Sequence, residues 1–243
     1  MGNKETSVAI ITHVPAGTPN EYLVRTMKDV DEQSAQTWHH YMFCDDEDTL
    51  KRATRLLSLR NTSYTEKLTL SLSQSFFLTI FNDHEFFSFH PVRDYWSPFF
   101  IEKMLLELQS CSVAIGGVWC QYSTVHEAIR GKTFSIDKTE KGPAYTGELL
   151  RPIYSRISTA QHIQALYYSD AVPTEAISLR SHPLFVTLSA LMADADILAI
   201  PDVLAFRSFR EETTDERLEF QQIRNWIYRH HPYVFLIDTE GDI

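Results

Sequence analysis

The chain predicts an α/β fold, with a mostly parallel central sheet covered by helices on both faces. Three observations predict it. Short apolar, partly β-branched runs such as residues 7–12 (SVAIIT) and 112–118 (SVAIGGV) suit strands buried on both sides. Segments with helical periodicity separate these runs, so strands and helices alternate. Each run ends in a polar, proline-containing or acidic turn. Right-handed crossovers set such turns along one edge of the sheet, where ligands bind in open α/β proteins.

The elements follow in order. After the strand at residues 7–12, Pro15, Gly17 and Pro19 make a loop, and Asn20 can cap a helix with Leu23, Thr26, Met27 and Val30 on its inner face. Residues 38–44, WHHYMFC, read as a second strand that stops abruptly at Asp45-Asp46-Glu47-Asp48. A helix then carries Leu50, Ala53 and Leu57 on one face. Residues 86–89 are the next strand; Ser97 and Pro98 offer a cap and a first-turn proline to a helix with Ile101, Met104, Leu105 and Leu108 inward. In the strand at residues 112–118 two glycines allow close backbone approach or a bulge. Residues 119–160 read as loops around one or two antiparallel strands. The run at residues 183–193, PLFVTLSALMA, is apolar nearly all round and predicts a buried helix. Short strands at residues 197–200 and 203–206 follow, then a capping-box pattern at residues 213–216 opens a last helix with Phe220, Ile223 and Ile227 on one side.

Composition bounds the function. With 243 residues, 44% of them hydrophobic, one fairly large domain over residues 1–243 is expected. A formal charge of −10 repels phosphate backbones, which disfavours a broad nucleic-acid surface but not a local basic pocket. Cys44, Cys111 and Cys120 are odd in number and contain no C-x-x-C pair, so they read as small buried hydrophobes in a reducing compartment. Residues 1–12 lack the cationic and long apolar stretches of a secretory signal, and no window is apolar for the roughly 18 to 20 residues that span a bilayer. The expected location is cytoplasmic, with peripheral membrane association left open. Oligomeric state is not readable.

The most informative stretch is residues 86–98, FFSFHPVRDYWSP, a short apolar strand entering a polar turn and then a helix start. Its frame resembles the place where family-two, inverting glycosyltransferases of the GT-A fold hold a sugar nucleotide, usually written F-L-D-x-D-D-x-W-x-P. Phe89, Asp94, Trp96 and Pro98 keep the spacing, while Pro91 and Arg93 stand where two metal-binding acids are usual, so the D-x-D motif is degenerate. Three further stretches are similar in order and spacing. SVAIITHVPAG resembles the family's first strand and nucleotide-contacting loop, EYLVRTMKDVDEQSAQTWHHYMFCDDED its helix, strand and terminal Asp-Asp, and ILAIPDVLAFRSF its late I-P-E-x-L-x-x-R segment.

The resemblance implies a nucleotide-binding half (residues 1–118) and an acceptor-side half (119–243). It implies a nucleotide sugar, UDP- or GDP-linked, as donor and a glycan or glycoconjugate as acceptor. Thr12 and His13 would lie beside the nucleotide, with Asp45 and Asp46 accepting from base and ribose; the plain alternative is that residues 45–48 are a solvated helix start. Arg93 and Asp94 would manage the diphosphate. A leaving diphosphate needs its charge offset, and a guanidinium at the metal-ligand position can supply that with a bidentate fork, which makes metal-independent transfer conceivable. A Mn²⁺ or Mg²⁺ ion held through Asp94 is the other route, and a decayed site with Arg93 paired to Asp94 or a surface acid is a third. The family's base, an acid before the buried helix, is replaced here by residues 179–183, LRSHP, which makes His182 the candidate to accept the acceptor's proton, with Asp170 and Glu175 in reserve.

Other signals are weaker. His39 and His40 are neighbours on one strand and point to opposite faces. His126-Glu127 lacks the second histidine of a zincin helix, and His230-His231 suits a helix end. Trp96, Trp119 and Tyr122 could line an acceptor groove or simply fill the core. No G-x-G-x-x-G, P-loop or G-x-S-x-G is present. Two functions from different classes follow: a glycosyltransferase, or a GT-A-like domain that binds a partner or glycan and has lost its chemistry.

Overall fold

A computed structural model describes residues 5–35, 37–59, 66–69, 74–112, 114–127, 134–138, 149–150, 165–172, 197–208 and 229. Its elements run β1 (Glu5–Val14), α1 (Asn20–Asp31), β2 (Trp38–Cys44), α2 (Glu47–Ser58), β3 (Glu66–Thr69), α3 (Gln74–Asp83), β4 (His84–Phe89) and β5 (Tyr95–Trp96). They continue with α4 (Phe100–Ser110), β6 (Gly117–Glu127), β7 (Phe134–Lys138), β8 (Leu149–Leu150), β9 (Ala165–Tyr168) and β10 (Ile197–Ser208).

One sheet joins all the strands in the order β3-β2-β1-β4-β9-β6-β10-β5, with β7 on β6 and β8 on β10. The pairs β3/β2, β2/β1, β1/β4 and β6/β10 are parallel. Strand β9 runs antiparallel to both β4 and β6, so β3, β2, β1, β4, β6 and β10 all point the same way. The sheet is therefore mostly parallel in direction, with one reversed strand at its centre.

Period-two alternation sends each strand's apolar residues to two different helical layers. On one face Val8, Ile10, Phe86, Val118 and Leu166 meet Phe100, Ile101, Met104 and Leu108 of α4. Val14, Met42 and Cys44 on that face meet Leu23 and Met27 of α1 and Ala53 of α2. The opposite face is aromatic. Phe77 of α3 lies against Phe43 at 5.8 Å between ring centres, Phe81 against Phe87 at 4.7 Å, and Phe87 against Tyr167 at 5.3 Å. Helices thus cover both faces, as expected.

The inner face of α1 is the expected one: Leu23, Thr26, Met27 and Val30 are buried. Its cap differs. Pro19 occupies the N-cap position without a side-chain bond, and the Asn20 side chain instead accepts from Arg52 at 3.0 Å. Ser97 likewise caps a turn before α4 rather than α4 itself, accepting weakly from the Phe99 amide at 3.3 Å. The strand expected at residues 112–118 begins only at Gly117 and runs on to Glu127. Gly117 explains the register there: a Cβ would sit 2.7 Å from the Leu166 carbonyl oxygen and 2.8 Å from the Tyr167 ring, so only glycine lets β6 approach β9. The two short late strands are one irregular strand, β10, whose register to β6 shifts around residues 199–205. The helices expected at residues 183–193 and from residue 213 lie outside the described residues. Among the described residues no helix is long and apolar enough to cross a membrane.

Candidate functional site

The parallel strands β1, β2 and β4 end side by side. Val14 pairs with Cys44, Ile11 with Phe89, the Asp45 amide donates to the Val14 carbonyl at 3.2 Å, and the His90 amide donates to the Ile11 carbonyl at 2.9 Å. Residues 12–14, 44–46 and 90–94 are thereby brought to one edge of the sheet, with the N-terminal turns of α1 and α2 beside them.

On the β1/β2 side, His13 and Asp45 are already engaged with each other. The His13 Nε2 and an Asp45 carboxylate oxygen are 2.7 Å apart; His13 is 23% exposed and Asp45 48%. The bond fixes the imidazole and leaves the second Asp45 oxygen without a protein partner among the described residues. Asp46 is committed locally. As N-cap of α2 it accepts from the Thr49 amide at 2.8 Å and the Thr49 hydroxyl at 2.7 Å. These two bonds, the amide's first, hold its carboxyl below the usual carboxylate range. Thr12 is fully buried, its hydroxyl 2.9 Å from His40 Nε2, so it supports the floor of the edge from within. Cys44, beneath the acids, has its thiol pushed up to about 11 by burial and then by Asp46 and Asp45, and stays neutral.

Arg52 of α2 was not singled out by the sequence. Its guanidinium donates to the Thr18 carbonyl at 2.7 Å, to the Asn20 side chain at 3.0 Å and to the Thr49 hydroxyl at 3.0 Å, and it pairs with Asp48 at 3.1 Å. It fastens the β1–α1 loop to α2. The only hint in the sequence is the Asp48/Arg52 spacing of four, which marks a helical pair but not the crossing contact.

On the β4 side, α1 holds the segment that carries Arg93 and Asp94. Thr26 donates to the Val92 carbonyl at 2.8 Å, Arg25 Nη2 to the Arg93 carbonyl at 3.1 Å, and the Trp96 amide to Asp29 at 3.0 Å. Gln33 continues the series, donating to the Ser97 carbonyl at 3.0 Å and accepting from the Ile101 amide at 3.2 Å. His90, its side chain fully buried, lies 3.4 Å from Asp29 and edge-on to Trp96 at 4.5 Å. Asp94 accepts from the Ser208 amide of β10 at 3.1 Å, and so ties the turn to the far side of the sheet. Arg93 is exposed, has no ion-pair partner among the described residues, and lies over the Tyr22 ring at 5.1 Å. It is not paired with Asp94. The polar stripe Thr26, Asp29 and Gln33, spaced by three and four beside the apolar face of α1, was the available signal for this support.

Among the described residues no three His, Cys, Asp or Glu side chains group around one point, so the residues described do not fit a metal. His182 and Glu175 lie outside the described residues. Asp170 is exposed in a short 3₁₀ turn after β9. Trp96, Trp119 and Tyr122 are all nearly fully buried, and the Trp119 indole donates to the Tyr167 hydroxyl at 3.2 Å, so these rings fill the core. Cys44 and Cys120 are buried free thiols, and Cys111 is a half-buried one.

No protein-family model matches the sequence, and no curated protein matches it. Solved structures do. A crystal structure of S. aureus TarS aligns with a TM-score of 0.60 at 12% identity, over 95% of this chain and 43% of that longer chain. Residues 1–349 of TarS in complex with UDP-GlcNAc align with a TM-score of 0.60 at 14% identity, over 94% of this chain and 70% of that one. The mannosyltransferase PcManGT from Pyrobaculum calidifontis, in complex with GDP-Man and Mn²⁺, aligns with a TM-score of 0.51 at 9% identity, over 97% and 76%. At such identities the likeness establishes the fold: this is the GT-A, nucleotide-diphospho-sugar transferase architecture.

Proposed function

We propose that the chain is a glycosyltransferase that moves a sugar from a nucleoside-diphosphate donor to an acceptor hydroxyl in glycan or glycoconjugate assembly. One observation carries the reading. The tips of β1, β2 and β4 converge on an edge that presents a histidine-braced carboxylate, Asp45, on one side and, on the other, the exposed guanidinium of Arg93, which has no ion-pair partner among the described residues. Two of the solved structures that share the fold contain UDP-GlcNAc or GDP-Man, which supports a nucleotide sugar as the ligand of that edge.

In this reading the free oxygen of Asp45 accepts from the base or ribose, and His13 holds the carboxylate in place. Asp46 sets the start of α2, Thr12 backs the floor, and Arg93 offsets the diphosphate as the glycosidic bond breaks. Asp94 shapes the turn through Ser208. His182 takes the acceptor's proton as its oxygen attacks the anomeric carbon. Arg93 at the metal-ligand position supports metal-independent transfer; a Mn²⁺ or Mg²⁺ requirement carried through Asp94 is the competing expectation.

Calorimetry with UDP, GDP, UDP-GlcNAc and GDP-Man, each with added Mn²⁺ and with EDTA, tests the reading. Binding of one nucleotide family that persists in EDTA is expected, and Arg93→Ala should weaken it by about tenfold or more. A non-catalytic GT-A-like binder remains the second reading, because the D-x-D acids and the usual base are both replaced. Failure of every nucleotide to bind the unmodified chain would favour that second reading and retire the first.

A further inference from the structure

Arg93 does not reach the strand edge as a loose side chain. Four side chains from α1 and the β4–β5 segment interleave: Tyr95, Arg25, Tyr22 and Arg93. The Arg25 guanidinium lies 4.0 Å from the centre of the Tyr95 ring and 4.9 Å from that of Tyr22, and the Arg93 guanidinium lies 5.1 Å from the Tyr22 ring. Rings and cations alternate through the stack. The inner three members are half-buried, whereas Arg93, at the outer end, is exposed. The backbone of the same residue is held as well, because Arg25 Nη2 donates to the Arg93 carbonyl. Helix α1 therefore seats Arg93 twice, by its carbonyl through Arg25 and by its guanidinium on Tyr22.

Two cations gathered on one ring repel each other, and each guanidinium gains only modestly from an aromatic face in water. An anion at the outer end removes that repulsion. A guanidinium held over a ring keeps its N–H donors for an anion, and part of the ordering entropy of a long flexible side chain is already met before the ligand arrives. A flexible surface arginine would lose that freedom on binding.

We propose that Tyr22 and Arg25 are positioning residues that hold Arg93 as a preset receptor for the diphosphate of the donor, the ring orienting the guanidinium and Arg25 fixing the backbone beneath it. The inference rests on the reading of Arg93 as the diphosphate-binding group and adds the device that aims it. A residue that merely stabilised α1 would alter melting temperature without distinguishing phosphate from nucleoside. A positioning residue acts on the phosphate alone.

The test uses the full chain and three probes, inorganic pyrophosphate, UDP and uridine, titrated by calorimetry into the unmodified protein and into Tyr22→Phe, Tyr22→Leu and Arg93→Ala. Pyrophosphate and UDP should bind Tyr22→Phe as they bind the parent, since the ring is kept. Tyr22→Leu should weaken both by about two- to fivefold, and Arg93→Ala by about tenfold or more. Uridine should be indifferent to all three changes. The Arg93 Nε–H resonance offers a reading independent of any ligand: shifted by the ring current in the parent and in Tyr22→Phe, and unshifted in Tyr22→Leu. Equal pyrophosphate affinity in Tyr22→Leu and the parent, no pyrophosphate binding by the parent, or an Arg93 signal blind to the ring overturns the proposal. Pyrophosphate binding that depends on Tyr22, with no binding of UDP, GDP, UDP-GlcNAc or GDP-Man, would leave the stack standing and remove the glycosyltransferase reading.

Discussion

Two turns leave the sheet at the ends of the strands that flank β1, and they are secured by different means. Apart from the bonds of Asp45 to His13 and Val14, the turn after β2 is tied within its own helix: Asp46 caps Thr49, Glu47 pairs with Lys51 at 3.4 Å, and Asp48 pairs with Arg52 at 3.1 Å. Every one of those helix partners is three or four residues away. The turn after β4 is tied by α1 and by Gln33 just after it, whose side chains reach 64 to 68 residues along the chain to bond the Val92, Arg93, Trp96, Ser97 and Ile101 backbone. The first turn folds with its helix and keeps one carboxylate, Asp45, to present. The second is shaped only once α1 has docked, and what it presents, Arg93, inherits its position from that helix.

The comparison is most sharply broken at Asp29, which supports the β4 turn from a distance. Asp29→Ala leaves the Trp96 amide without its acceptor and buried His90 without its nearest carboxylate. A loss of about 1–3 kcal/mol is expected, read as a fall in melting temperature of about 2–4 °C for each kcal/mol in a chain of this size. Hydrogen exchange should speed up at the Trp96 and Ser97 amides more than in α2. Uniform acceleration across both turns would contradict the separation drawn between them.

A smaller effect is expected at Asp46. Asp46→Ala removes the α2 cap, and the melting temperature should fall by less than in Asp29→Ala, while Asp46→Asn keeps most of the cap. The pH dependence has a defined sign. The folded carboxyl is depressed by its Thr49 bonds, so its contribution is present above the unfolded value of about 3.9 and is lost as pH falls through the lower folded value. The stability gap between the parent and Asp46→Asn should therefore shrink on acidification below about pH 4. A gap that widened in acid would assign the cap to another group.

The smallest effect belongs to Glu47. Its pair with Lys51 joins side chains 72% and 75% exposed, and Glu47→Gln should change stability by no more than about 0.5 kcal/mol, vanishing in high salt. A larger loss would show that the β2 turn depends on surface charge as well as on its cap.

The same contrast explains what could be read from the residues in order. The inner face of α1 and the limits of β2 were legible because they depend on local spacing: one side of a 3.6-residue helix, one apolar run stopped by acids. The reversed central strand β9 was not, because Ala165–Tyr168 is four apolar residues with no local mark of its neighbours β4 and β6. Nor was the start of β6 at Gly117, which is decided by the Leu166 carbonyl and Tyr167 ring standing where a side chain would go. At the candidate site, Asp45 and Arg93 could be named from their places after apolar strands. The bond from His13 to Asp45, the crossing of Arg52 to Thr18 and the seating of Arg93 on Tyr22 could not.

Sequence alone settled the limits of β2, the inward faces of α1 and α4, and the presence of acids after β2 and a cation after β4, while β3 and α3 carried no expectation. Those features depend on residues within a turn or two of each other, where periodicity and capping act. Tertiary structure decided that Asp46 is spent on a helix cap while Asp45 meets His13, and that the Arg93 guanidinium lies over a tyrosine from another element. Such choices are made by side chains meeting across dozens of residues, and a chain read one position at a time carries no distance between them.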